Sequence, residues 1–89
     1  MTLGLSITRS DIDAAIRQEI DIAEQRYGDP ASTHEAYGVL AEEVAELLDA
    51  IRSNKSESIR NEAVQVAAVA TRLAYALSSV PMLKRSGCA

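Results

Sequence analysis

Apolar residues along this chain recur at helical spacing, with no strand-like alternation. From Arg9 to Tyr27, the positions Ile12, Ile16, Ile20, Ala23 and Tyr27 share one stripe, and charged residues fill the remainder. From Thr33 to Arg52, Tyr37, Leu40, Val44, Leu47, Leu48 and Ile51 gather on one face, with Glu35, Glu42, Glu46 and Asp49 roughly opposite. From Glu57 to Ser79 the pattern broadens. Ile59, Ala63, Val66, Ala70, Leu73 and Leu77 make one wide face, and Val64, Ala68 and Tyr75 make another. Asn61, Gln65 and Arg72 are the main interruptions.

Two polar stretches separate these segments: YGDPAST at 27–33 and SNKSES at 53–58. Capping residues sit where helices should start. Thr8 or Ser10 serves the first segment, Ser32 with Glu35 reads as a capping box for the second, and Asn54 with Glu57 serves the third. Pro81 marks the end of the third. The pattern predicts three helices, about 9–27, 33–52 and 57–79, in one domain over 1–89, with a loose tail at 81–89 holding Lys84, Arg85 and Cys88.

The expected fold class is all-α: a long helical hairpin plus an N-terminal packing helix. A helix apolar nearly all round needs burial on several sides. A chain of 89 residues with three Tyr and no Phe or Trp has little bulk to provide it. Assembly into a helical-bundle dimer or tetramer is the expected remedy.

Charge narrows the function classes. A net charge of −4 and a pI near 4.8 argue against a nucleic-acid surface or an anionic membrane surface, and suit a protein that gathers cations. No apolar run reaches the ~20 residues that span a bilayer. The start, MTLGLSITRSD, lacks a basic region followed by a long apolar one, so no signal peptide is expected and the cytoplasm is the expected location. One Cys and one His argue against a zinc site, and His34 reads as a surface residue.

The third segment holds a puzzle. NEAVQVAAVA at 61–70 is among the most apolar windows, yet it carries Glu62 and Gln65. Burying an unpaired carboxylate costs several kcal/mol or neutralises it. Glu43 raises the same question at the edge of the second segment's apolar face. Each has a companion three residues on, Glu46 and Gln65, and such pairs share a helix face. Two pairs on antiparallel helices can converge, and four oxygen donors make a site for Mg²⁺ or Mn²⁺. Glu35, Glu42 and Asp49 read as a solvated face. Arg72, on the side of Gln65, suits either a phosphate contact or an intersubunit ion pair.

These residues carry a resemblance. EEVAELLDAI at 42–51 followed by EAVQVAAVA at 62–70 resembles the all-α nucleoside triphosphate pyrophosphohydrolases of the MazG-like superfamily, whose pattern is EExxE, a spacer, then ExxD. The resemblance covers about residues 33–75. It implies a helical oligomer that uses Mg²⁺ to cleave a nucleoside triphosphate into monophosphate and pyrophosphate. Carried across, Glu43, Glu46, Glu62 and Gln65 become metal ligands, and Glu42 or Glu46 the acceptor of the attacking water's proton. Arg72 and Lys55 become candidate substrate contacts, with Tyr37 or Tyr75 available to a base. The chain departs from the pattern at Gln65, where Asp is expected. A neutral amide weakens metal binding. The alternative is a catalytically weak or inactive helical oligomer that acts as a binding or regulatory protein.

Overall fold

A computed structural model of the chain describes residues 6–79. It is all-helical: α1 is Arg9–Tyr27, α2 is Thr33–Ser53 and α3 is Ser56–Ser79. The expected tail, with Pro81, Lys84, Arg85 and Cys88, lies outside the described residues. Among the described residues no helix is long and apolar enough to cross a membrane.

The boundaries follow from local chemistry. Thr8 caps α1 in a reciprocal box: its Oγ1 accepts the Asp11 N–H at 3.1 Å, and the Asp11 carboxylate accepts the Thr8 N–H at 2.9 Å. The bond from the Thr8 backbone N–H, and after it the Thr8 hydroxyl beside the carboxylate, hold the Asp11 carboxyl below its ordinary pKa. Gly28 ends α1 at φ 68, a backbone state that costs glycine nothing, and its N–H returns to the Glu24 carbonyl.

Ser32 starts α2 by accepting the Glu35 N–H at 3.1 Å. Glu35 does not close the expected box on Ser32. It reaches one residue further back and accepts the Ala31 N–H at 2.6 Å. Asn54 is a second departure. It sits in the left-handed region, φ 59 and ψ 34, as the C-cap of α2, donating its N–H to the Ala50 and Ile51 carbonyls. It therefore does not serve as the start of α3, where the Ile59 N–H is taken by the Lys55 carbonyl at 2.9 Å.

Helix α3 packs against both α1 and α2, while α1 and α2 do not approach each other. The buried core is small: Ala36 and Ala50 from α2, and Val64, Ala68 and Ala76 from α3. Small side chains let helix backbones come close but remove little apolar surface from water. The shape is accordingly open, 51 × 26 × 21 Å with a radius of gyration of 15.0 Å, against roughly 11–12 Å for a compact domain of this size.

The structure divides the apolar face expected on α2. Leu40 and Leu47 are half-buried, along with Glu43, on the side that buries Ala36 and Ala50. Tyr37, Val44, Leu48 and Ile51 remain 66%, 48%, 45% and 50% exposed. With exposed Ala41 they form a stripe spaced 4-3-4-3, the repeat that seats one helix along another. Helix α3 divides similarly. Val64 and Ala68 are buried, whereas Ala63, Ala70 and Leu77 of the expected wide face are exposed. On α1 the half-buried residues are Ile12, Ala15, Ile16, Glu19, Ile20 and Ala23, and Tyr27 stands outside the stripe expected to include it.

Helix α1 buries no residue completely. A helix held by half-buried contacts opens more easily than one with a buried row. Amide exchange is expected to be faster throughout α1 than in the middle of α2 or α3; equal protection in native-state exchange would contradict it.

Candidate metal and ligand site

Glu43 reaches the seam between α2 and α3 because it falls on the half-buried face of α2, one turn from Leu40 and Leu47. Glu62 does so from α3, one turn before half-buried Gln65 and Val66 and two turns before half-buried Val69. Glu46, three residues after Glu43, is exposed at the edge of the same seam. The three carboxylates meet: each offers an oxygen within 4.8 Å of the others. Glu43 Oε1 and Glu62 Oε1 are buried and have no hydrogen-bond partner.

Three acids so placed repel one another. The carboxyl of Glu43 is held above its ordinary pKa, first by burial and then by the charges of Glu46, Glu62 and Glu42. Glu62 is raised too, by burial and then by the charge of Glu46. A carboxyl that binds its proton more tightly folded than unfolded favours the fold at low pH. That contribution is complete below the ordinary value of 4.5 and is lost as pH rises through the elevated folded value. At neutral pH the ionised cluster therefore opposes folding unless a cation joins it. The donor set fits a hard cation: charged oxygens on two helices, two of them buried and unpartnered.

Beside the cluster lies a cleft of about 780 Å³, bounded by α1, the loop at 28–30, the N-terminal half of α2 and the middle of α3. Glu43 lines it and is the link to the cluster, since Glu46 and Glu62 do not. Glu42 and Gln65 also line the cleft, so Gln65 shares a wall with Glu43. The floor is apolar and largely small: Ala23, Ala36, Ala68, Val69 and Leu73.

Arg72 lines the cleft too, but its guanidinium donates to the Gly28 carbonyl, 44 residues earlier. It pins the end of α1 to α3, and its buried Nε has no partner. Lys55 sits exposed in the connection between α2 and α3 and lines neither the cleft nor the cluster. Tyr37 and Tyr75 are exposed and do not line the cleft.

One cleft residue escaped the sequence reading. Glu19 was grouped with the charged remainder of α1. It is half-buried and lies within the packing stripe, three residues after Ile16 and seven after Ile12. That spacing was the available signal. No protein-family model, curated protein or solved structure matches the chain.

Proposed function

We propose that the protein is a Mg²⁺-dependent nucleoside triphosphate pyrophosphohydrolase, with Mn²⁺ as an alternative ion, in which Glu43, Glu46 and Glu62 hold the metal. The observation that carries this reading is the pair of buried, unpartnered carboxylate oxygens on Glu43 and Glu62, gathered with Glu46 around one point. Burial of like charges is costly without a cation and reasonable with one. When bound, the ion supplies positive charge against the triphosphate and acidifies a water.

The chain's own residues do the rest. Glu43 joins the metal cluster to the cleft, so phosphates held at the cluster leave the nucleoside part in the cleft. Glu42, which lines that cleft beside Glu43, or Glu46 in the cluster accepts the proton of an attacking water in this reading. The apolar floor offers the nucleoside a surface to pack on. Arg72 holds the loop at 28–30 in place and, lining the cleft, is the candidate phosphate contact in this reading. The architecture in this reading is a hairpin of α2 and α3 with α1 packed alongside, self-associating as a homodimer or homotetramer through the exposed stripe on α2. Its place is the cytoplasm, with the nucleotide pool.

Pyrophosphate release from a panel of nucleoside triphosphates, with and without Mg²⁺, is the direct test. No release from any of them would remove the enzyme reading and leave a helical binding or regulatory protein. Gln65 favours that second reading, because an amide replaces a charged donor one turn from Glu62. Gln65→Asp is expected to tighten Mg²⁺ binding by about tenfold, roughly 1.4 kcal/mol, and to lower stability without metal. Calorimetric titration with Mg²⁺ reads this directly. An unchanged affinity would mean that position 65 does not reach the ion.

A further inference from the structure

We propose that Glu19 is a specificity-determining residue that reads a hydrogen-bond donor on the nucleoside held in the cleft. The inference rests on the pyrophosphohydrolase reading for the identity of the ligand, and on separate observations for the role of Glu19.

The first observation is position. Glu19 stands in the row by which α1 packs on α3, between half-buried Ile16 and Ala23, where an apolar residue would pack better. The second is that its carboxylate is open to the cleft. Among the described residues Glu19 makes no hydrogen bond or ion pair, although Arg26 and Arg72 line the same cleft, and its oxygens are not among the buried ones, so a ligand in the cleft can reach them. The third is its surroundings. The cleft is of ligand size, with an apolar floor and a few polar groups at its walls. Ala23, Ala36 and Ala68 leave room on that floor for a flat ring.

An ionised carboxylate accepts hydrogen bonds and cannot donate one. The group that meets Glu19 must therefore bear N–H or O–H. On a nucleoside that is an exocyclic amine of the base or a hydroxyl of the sugar. A base with a carbonyl at the same position turns an acceptor toward the carboxylate and is rejected. A site built to hydrogen-bond one group discriminates strongly against an analogue that lacks it.

The test uses the full chain with Mg²⁺ and product-like monophosphates, which carry no bond for the hydrolase to cleave, so binding is read apart from catalysis. CMP against UMP, and AMP against IMP, exchange an amine for a carbonyl. CMP against dCMP removes only the 2′-hydroxyl. Calorimetry on the wild type is expected to show a preference of at least about tenfold in one of these comparisons. Glu19→Gln, whose amide can also donate, is expected to reduce that preference to within about threefold. Dependence on the amine assigns the base, and dependence on the hydroxyl assigns the sugar. No preference, a preference unaltered in Glu19→Gln, or no binding of any of these nucleotides overturns the proposal. The two readings fail separately: pyrophosphate released with equal efficiency within each of the pairs CTP and UTP, ATP and ITP, and CTP and dCTP removes the role of Glu19 alone, whereas no release from any triphosphate removes the hydrolase.

Discussion

Glu43→Ala is expected to lower Mg²⁺-dependent pyrophosphate release by more than about 100-fold, since even the outer partners of a metal site are worth roughly 10–100-fold. Glu43 is the side chain shared by the cluster and the cleft. Its loss removes a charged ligand and the junction between metal and nucleoside together. The companion variant Glu43→Gln separates function from folding. It keeps the shape and removes one of three mutually repelling charges whose oxygens lie within 4.8 Å of one another. At that separation each repulsion is worth on the order of 1–3 kcal/mol, and partial exposure favours the lower end. Without metal the variant should therefore unfold later, by roughly 4–8 °C for each kcal/mol.

The pH profile adds a sign. Wild-type stability without metal should fall as pH rises from about 4.5 through the elevated values of Glu43 and Glu62, and Mg²⁺ should restore it most above that window. Glu43→Gln should flatten both trends. Thermal unfolding at several pH values, with Mg²⁺ and with chelator, checks them. A variant less stable than wild type without metal would mean that Glu43 is held by contacts within the protein.

Leu48→Asp is expected to convert the proposed homodimer or homotetramer to monomer. The stripe of Tyr37, Ala41, Val44, Leu48 and Ile51 is too regular and too apolar to be an ordinary solvated face. Its repeat of 4-3-4-3 matches the seam of paired helices, and a second copy of this chain offers the same seam by symmetry. A carboxylate near its middle would be buried unpaired in the assembly, at a cost of several kcal/mol. In a separate subunit position 48 is 45% exposed, so Asp is tolerated there. An increase in dissociation constant of more than about 1,000-fold corresponds to roughly 4 kcal/mol. Sedimentation at micromolar concentration reads the mass. An assembly unaltered by Leu48→Asp, or a wild type already monomeric, would place the stripe outside any interface between copies.

Periodicity and caps made the helices legible. Ser32 and Gly28 are punctuation that few other residues replace, and the observed ends lie within a residue of those expected. Asn54 was harder, because Asn suits both the start of a helix and a left-handed end. The backbone at φ 59 decided for the end of α2. Glu43 was legible because its angular position on α2 depends on that helix alone. The division of α2 into a packed side and an exposed side was not legible. Six large apolar residues exceed what one neighbour can cover, and the alanines at 36 and 50 decide which side approaches α3. Arg72 was illegible for a different reason: its partner, the Gly28 carbonyl, is a backbone group brought near only by the packing of α1 on α3.

That packing has a further consequence. Because α3 touches both other helices and they do not touch each other, the chain is two interfaces in series with no closing third side. The cleft is thus a room with one movable wall. Its α2 and α3 sides belong to the seam that carries the buried alanines and the carboxylates. Its α1 side, with Glu19, rests on half-buried contacts and the Arg72 latch. Opening of α1 breaks that latch and those contacts and leaves the α2–α3 seam, with its carboxylate cluster, in place. The wall at Glu19 is therefore the part of the cleft whose position costs the least free energy to change.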